Sequence, residues 1–301
     1  MRQYPWFYIL ICLFVSVASQ SVHAQAPQHP EIKNDDESGP DSTVEKHGWK
    51  YGSTINLDFS EESYRNWSLG SENSLTYEAS LVGLAETKTA LFNYKLTYDF
   101  LFGQTNTQSL GLRKTDDLID ISSIFLFKTR SIFQPYFAQS FRTQFATGYD
   151  YQSDTVAIAI SGFFDPAYLV ITAGESWQAR KELKTRVGAG VRYIYTNRYN
   201  FFADDPTTPE IEHQKFSPGF ESVTELDWPI DSIITFKSRL SIFAPVRTLS
   251  RMVVDFDNLL IISASSFLKV NAKVHLLNEP DVTPLTQIKQ ALEIGVSYTI
   301  L

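Results

Sequence analysis

From Trp49 onward, apolar and polar residues alternate with a period of two through one stretch after another. Such alternation places successive side chains on opposite faces of a strand. In "FNYKLTYDFLF", Phe92, Tyr94, Leu96, Tyr98, Phe100 and Phe102 oppose Asn93, Lys95, Thr97 and Asp99. In "LKTRVGAGVRYIY", Leu183, Val187, Ala189, Val191, Tyr193 and Tyr195 oppose Lys184, Arg186 and Arg192. The pattern predicts twelve strands, near 49–59, 73–84, 89–102, 116–128, 134–148, 166–177, 182–196, 216–228, 231–243, 251–262, 265–277 and 288–301. The segments 116–128, 166–177 and 251–262 alternate less cleanly.

The connections alternate as well. Those after the even-numbered segments are short, such as "ETKT" and "ASS"; those after the odd-numbered ones are mostly longer, such as "TNRYNFFADDPTTPEIEHQKF". An even number of antiparallel strands, with short turns on one rim and long loops on the other, predicts a transmembrane β-barrel with short periplasmic turns and long extracellular loops. Segments of this length suit a tilted bilayer crossing. A soluble β-sandwich uses similar alternation, but the loop asymmetry and the Tyr and Trp residues near strand ends favour the barrel. The terminal "ALEIGVSYTIL" is expected to close the ring against the first strand. It is also expected to engage the barrel-assembly machinery, although Leu301 stands where a terminal aromatic is usual and the nearest aromatic is Tyr298.

The segment before Trp49 belongs to no strand. Met1 and Arg2 precede the apolar "WFYILICLFVSVA", and Val22-His23-Ala24 offers a small-x-small cleavage site. Residues 1–24 are therefore expected to be a signal peptide, and residues 25–48, polar, acidic and containing proline, a disordered periplasmic tail. The barrel occupies 49–301. The single cysteine, Cys12, lies in the leader, so the barrel relies on neither disulfides nor thiolate-bound metal. Loss of the leader removes one of the 26 basic residues, leaving 25 against 34 acidic ones. That balance argues against a nucleic-acid partner; outer-membrane lipid is the expected one.

With apolar residues facing lipid, the other parity lines the lumen. In the second half of the chain it carries Lys184, Arg186 and Arg192, then Glu221, Glu225 and Asp227, then Lys237 and Arg239. Asp255 and Asp257 follow, then Lys269, Lys273 and His275, and finally Glu293. The sign flips at each neighbouring strand. Opposite charges on adjacent strands attract by roughly 0.2–1 kcal/mol per pair, which suggests ion-pair ladders that partly fill a small-bore barrel. An open channel with the two signs on facing walls is the alternative.

No "G-x-S-x-G" or "H-E-x-x-H" occurs. A rim hydrolase could be drawn from Asp204, Asp205 and His213, but those residues sit in an acidic, proline-containing loop that is more simply solvated. "GAG" at Gly188–Gly190 lies on a strand without the helix a phosphate loop needs. No cofactor and no metal site is expected. The loops carry other information: "NWSLGSENS", "RKTDD", "RTQFATGYDY" and "ISGFFDPAYL" combine turn residues, charges and aromatics, and are expected to gather at the extracellular rim. There Arg113, Lys114, Asp116 and Asp117 could brace the rim by pairing. Alternatively Trp67, Tyr149, Tyr151 and Phe164 could stack on a sugar or a lipid headgroup.

These four stretches resemble an uncharacterised family of outer-membrane barrels found mainly in Bacteroidetes-type bacteria. Its members show "NW..GG..S", "RK..D", "K-T-Q-x-x-x-G-Y" and "S-x-F-x-x-P-x-Y" in this order. The chain departs where Leu69-Gly70-Ser71 replaces the glycine pair and where Arg142 replaces the lysine. The resemblance covers most of 49–301. It implies an outer-membrane location and a barrel; because the family has no assigned activity, it carries over no catalytic role. Together these readings describe a non-enzymatic barrel with a structural or narrow-channel role. A hydrolase at the rim and a glycan- or protein-binding surface are the alternatives.

Overall fold

A computed structural model of the chain describes residues 48–63, 73–107, 109–153, 156–205, 207–283 and 285–300. The expected signal peptide, all of the expected tail before Gly48, and Trp67 lie outside the described residues.

Among the described residues there are fourteen strands: β1 (Trp49–Glu62), β2 (Ser74–Lys88), β3 (Phe92–Thr107), β4 (Gly111–Phe127), β5 (Phe133–Thr143), β6 (Gly148–Ser153), β7 (Val156–Ser161), β8 (Ala167–Gln178), β9 (Leu183–Tyr195), β10 (Gln214–Pro229), β11 (Ile234–Pro245), β12 (Val253–Ser263), β13 (Leu268–Asn278) and β14 (Gln287–Thr299). Twelve of them close an antiparallel barrel in which β1 pairs with both β2 and β14. The remaining two, β6 and β7, form a hairpin inside the loop between β5 and β8. The short connections (89–91, 128–132, 179–182, 230–233 and 264–267) share one rim. The opposite rim carries the loops 144–166 (L3), 196–213 (L4), 246–252 (L5) and 279–286 (L6).

One expected loop is a strand. "RKTDD" lies within β4, and the β3–β4 connection is a tight turn in which Gly111 has φ 66° and the Leu110 N–H donates to Thr107 Oγ1 at 3.2 Å. The left-handed conformation at that position favours glycine, which has no Cβ to clash, and the hairpin extends past the wall. A one-residue register shift between Gly103 and Gln104 marks where it leaves the regular ladder.

The outer face is apolar. Trp49, Tyr51, Ile55, Leu57, Phe59, Leu292, Ile294, Val296 and Tyr298 are all exposed there. Around the short-turn rim the outward aromatics meet one another: Trp49 stacks on Tyr51, Tyr94 packs on Phe125, and Phe133 meets Trp177 edge-on. Such a band is the aromatic girdle of a membrane-spanning barrel. Glycine has one clear task on this face. A Cβ at Gly83 would sit 2.1 Å from Cζ of Tyr98, whose ring crosses that glycine so that its hydroxyl donates to Ser53 Oγ at 3.1 Å.

The inner face departs from a wholly polar expectation. Val82, Leu84, Leu101 and Leu118 share the inward parity with Asp58 and Glu78 through the β1–β4 registers, and all four are buried. Strand β2 is apolar on both faces along "LVGLA", so alternation alone cannot assign its inside. These side chains give this sector of the interior an apolar lining.

Candidate functional site

The lumen brings together the charged residues of the second half of the chain. Following register partners from β9 to β14, Lys184 faces Glu225, Glu225 faces Arg239, Arg239 faces Asp257, Asp257 faces His275, and His275 faces Lys289. The sign alternates along this row from β9 to β12, and the row ends in two basic residues, His275 and Lys289. Beside it, Lys237 reaches Asp227 at 3.5 Å, Arg239 reaches Glu225 at 3.7 Å and Arg186 reaches Glu221 at 3.7 Å. Glu221 also accepts from Thr172 Oγ1 at 2.9 Å. Lys269 shares the inward parity but stands opposite Ser263 and Gly295, not opposite a carboxylate.

Other contacts span the bore itself. Arg142 on β5 donates to Asp120 at 3.0 Å and, across the barrel, to Asp255 on β12 at 3.2 Å. Asp255 also bonds His275 Nε2 at 3.0 Å. Lys273 on β13 reaches Glu78 on β2 at 3.1 Å and Glu293 on β14 at 2.6 Å, while Asn271 donates to Asp58 at 3.3 Å. Lys289 on β14 pairs with Asp116 on β4. Arg192 pairs with Glu279 in L6 and lies over the Tyr168 ring. A side chain joining two walls that are not neighbours in the sheet narrows whatever passage lies between them. What passage is left is a cavity of about 970 Å³, lined from Lys88 and Gln178 near the short-turn rim to Phe201 and Val282 near the long-loop rim.

At the long-loop rim, the expected bracing set divides. Lys114 pairs with Asp117 at 2.9 Å and also donates to the Ala146 carbonyl, and Asp117 accepts the N–H groups of Phe145 and Ala146, each at 2.7 Å. Arg113 covers the Tyr151 ring at 3.8 Å from its centroid. Asp116 does not join them. One residue of strand alternation turns it inward to Lys289, so it belongs to the lumen and not to the rim. Tyr149 and Tyr151 meet at 6.2 Å on β6, and Phe164 packs on Phe141 at 5.4 Å.

Two stretches that were legible as motifs meet at the base of L3. Thr143 Oγ1 donates to the Pro166 carbonyl, and the Gln144 amide donates to the carbonyls of Gly162 and Asp165. Buried Asp165 accepts three backbone N–H groups, from Asn197, Arg198 and Tyr199, and so ties L3 to L4. In L4, the Asp205 carboxylate is taken up by Thr207, whose side-chain and backbone hydrogen bonds hold it below the usual range, and Asp204 accepts the Glu212 N–H. Those two acids are engaged by the loop's own turns. Sequence reasoning missed Arg142, Glu78, Asp120, Asp165 and Glu279. Only Arg142 carried a signal, as the residue standing where the resembling family has lysine.

Among the described residues, two groups of three have carboxylate or imidazole atoms within 4.8 Å of one another: Asp255, Asp257 and His275, and Asp58, Glu78 and Glu293. Arg142 holds the first group and Lys273 the second.

Residues 59–149 match the family described as "Protein of unknown function (DUF3078)". A search of the curated proteins returned no match. Similar solved structures include the translocator domain of the autotransporter NalP from Neisseria meningitidis, at 8% identity, with 87% of this chain and 90% of that chain covered and a TM-score of 0.39. An outer membrane channel from Pseudomonas putida F1 is similar at 9% identity, with 86% and 98% covered and a TM-score of 0.39. KdgM porin is similar at 10% identity, with 82% and 98% covered and a TM-score of 0.31.

Proposed function

We propose that this chain is a non-enzymatic barrel of the bacterial outer membrane that acts as a narrow channel constricted by its own ion pairs. The carrying observation is the set of bonds across the bore, above all Asp120–Arg142–Asp255 beside an otherwise continuous cavity. The apolar belt and its aromatic girdle support membrane insertion. Insertion there would follow export through the leader 1–24 and assembly through the terminal strand. The charged interior favours small hydrated solutes over apolar ones, because moving a charge pair apart in a water-poor bore is costly.

Single-channel recording of refolded protein in planar bilayers tests this. Native protein should give small, brief steps, and the double variant Arg142→Ala/Asp255→Ala should give larger and longer ones. Wide, steady steps from native protein would rule out the constriction. A folded barrel, shown by heat-dependent gel mobility, that stays silent in both forms would favour a purely structural role.

A further inference from the structure

L6 does not stand away from the barrel. Its first turn, together with the last residue of β13, forms the strap Asn278–Thr283, which folds onto the long-loop mouth. The strap closes on itself through the N–H groups of Val282 and Thr283 donating to the Glu279 carbonyl at 2.9 and 3.0 Å. Two carboxylates project from it, and three cations from three separate elements receive them. Glu279 pairs with Arg192 of β9; Asp281 pairs with Lys215 of β10 at 2.7 Å and with Arg251 of L5 at 2.9 Å. Arg192 and Lys215 share the inward parity of the wall, and Glu279 and Val282 line the cavity. Among the described residues, the strap supplies the only carboxylates within 4.0 Å of these three cations.

This geometry sets a condition on opening. Arg192 is 9% exposed with the strap in place and lies over the Tyr168 ring, which stays when the strap lifts; lifting removes its carboxylate partner, and a cation held in a partly buried place without its partner is unfavourable. The mouth can therefore open readily only if another anion takes the vacated place. We propose that Arg192, Lys215 and Arg251 form a binding site for a compact solute polyanion, phosphate- or dicarboxylate-bearing, and that the strap occupies this site as a built-in substitute until the solute displaces it. The inference rests on the channel reading for its purpose but not for its test. Because Arg192 and Lys215 face the lumen, the anion arrives from the aqueous phase and not from a lipid headgroup.

Strap position is read by thiol labelling, independently of conduction. The only native cysteine is Cys12, so Val282→Cys in protein starting after residue 24 carries a single thiol. Its reaction with a water-soluble maleimide should quicken when inorganic phosphate replaces chloride at equal ionic strength. Glu279→Gln/Asp281→Asn should quicken it by about tenfold, an ordinary coupling between two sites, and should also remove most of the phosphate effect. Lys215→Gln, which leaves the buried Arg192 pair intact, should weaken the response to phosphate. Equal labelling in chloride and phosphate would overturn the anion site, and equal labelling of native and Gln/Asn straps in folded barrels would overturn the strap itself. Bilayer recordings on the same proteins separate the two readings. Labelling that responds in barrels that never conduct retains the anion site and discards the channel. Phosphate-independent labelling in barrels that conduct does the reverse.

Discussion

Lys273 stands between Glu78 and Glu293, with Asp58 in the same group of carboxylates. Its side chain is only 10% exposed. Removing one member of a buried ion pair costs far more than the pair contributes net, about 3–5 kcal/mol, because the partner's charge is left unmatched. Lys273→Met should therefore lower the urea midpoint of the refolded barrel markedly, and adding Glu78→Gln/Glu293→Gln should recover much of the loss. A single variant that unfolds like the native protein would mean that water already solvates the cluster. This network could not be anticipated from the chain. Parity identified Lys273 and Glu293 as inward, but Lys273 and Glu78 are 195 positions apart, Lys289 and Asp116 are 173 apart, and Arg142 and Asp255 are 113 apart. Alternation reports which face a residue occupies. It carries nothing about which residue waits on the opposite wall.

At the level of whole elements, L3 and L4 are held by one side chain. Three N–H groups of L4 end on the Asp165 carboxylate at 2.6–3.3 Å. A buried amide left without an acceptor costs about 1–3 kcal/mol. Asp165→Ala should free L4 to limited proteolysis between 197 and 213 while the barrel keeps its heat-dependent gel mobility. Asp165→Asn, which retains one acceptor oxygen, should be cut at an intermediate rate. Equal cutting of all three forms would place the hold on L4 elsewhere, for example in Glu212 and Thr208. The strands themselves were legible, because outward residues must be apolar and inward ones need not be, and each of the twelve barrel strands lies over a predicted segment. The β6–β7 hairpin was not. Val156, Ala157, Ile158, Ala159 and Ile160 run apolar without alternation, and Tyr149 and Tyr151 resembled exposed loop aromatics. Their ordering depends on packing against the extended β4, which local pattern cannot reveal.

Over the whole molecule, closure rests on the shortest ladder in the ring. β1 pairs with β2 from Trp49 to Glu62 but with β14 only from Thr54 to Phe59. The register at this seam fixes the shear of the entire barrel, since a one-residue slip would send every inward charge of β14 to the lipid side. Asn56 and Ser297 are opposite one another there and face inward. Residues directly opposite in an antiparallel pair have Cα atoms about 4.5–5.5 Å apart, within the span of a disulfide. Asn56→Cys/Ser297→Cys, made in protein starting after residue 24, should therefore oxidise completely and without rearrangement. It should raise resistance to unfolding by about 2–4 kcal/mol, as expected when a long loop is closed covalently. The pair Asn56→Cys/Tyr298→Cys should oxidise poorly, because adjacent side chains on β14 point to opposite faces. If the two pairs exchanged behaviour, the seam would be shifted by one residue. If neither oxidised in folded protein, β1 and β14 would not be neighbours and the ring would be open. The cross-bore bonds Arg142–Asp255 and Lys289–Asp116 would then lose their geometric basis, because each depends on two walls held at a fixed distance by a closed wall between them.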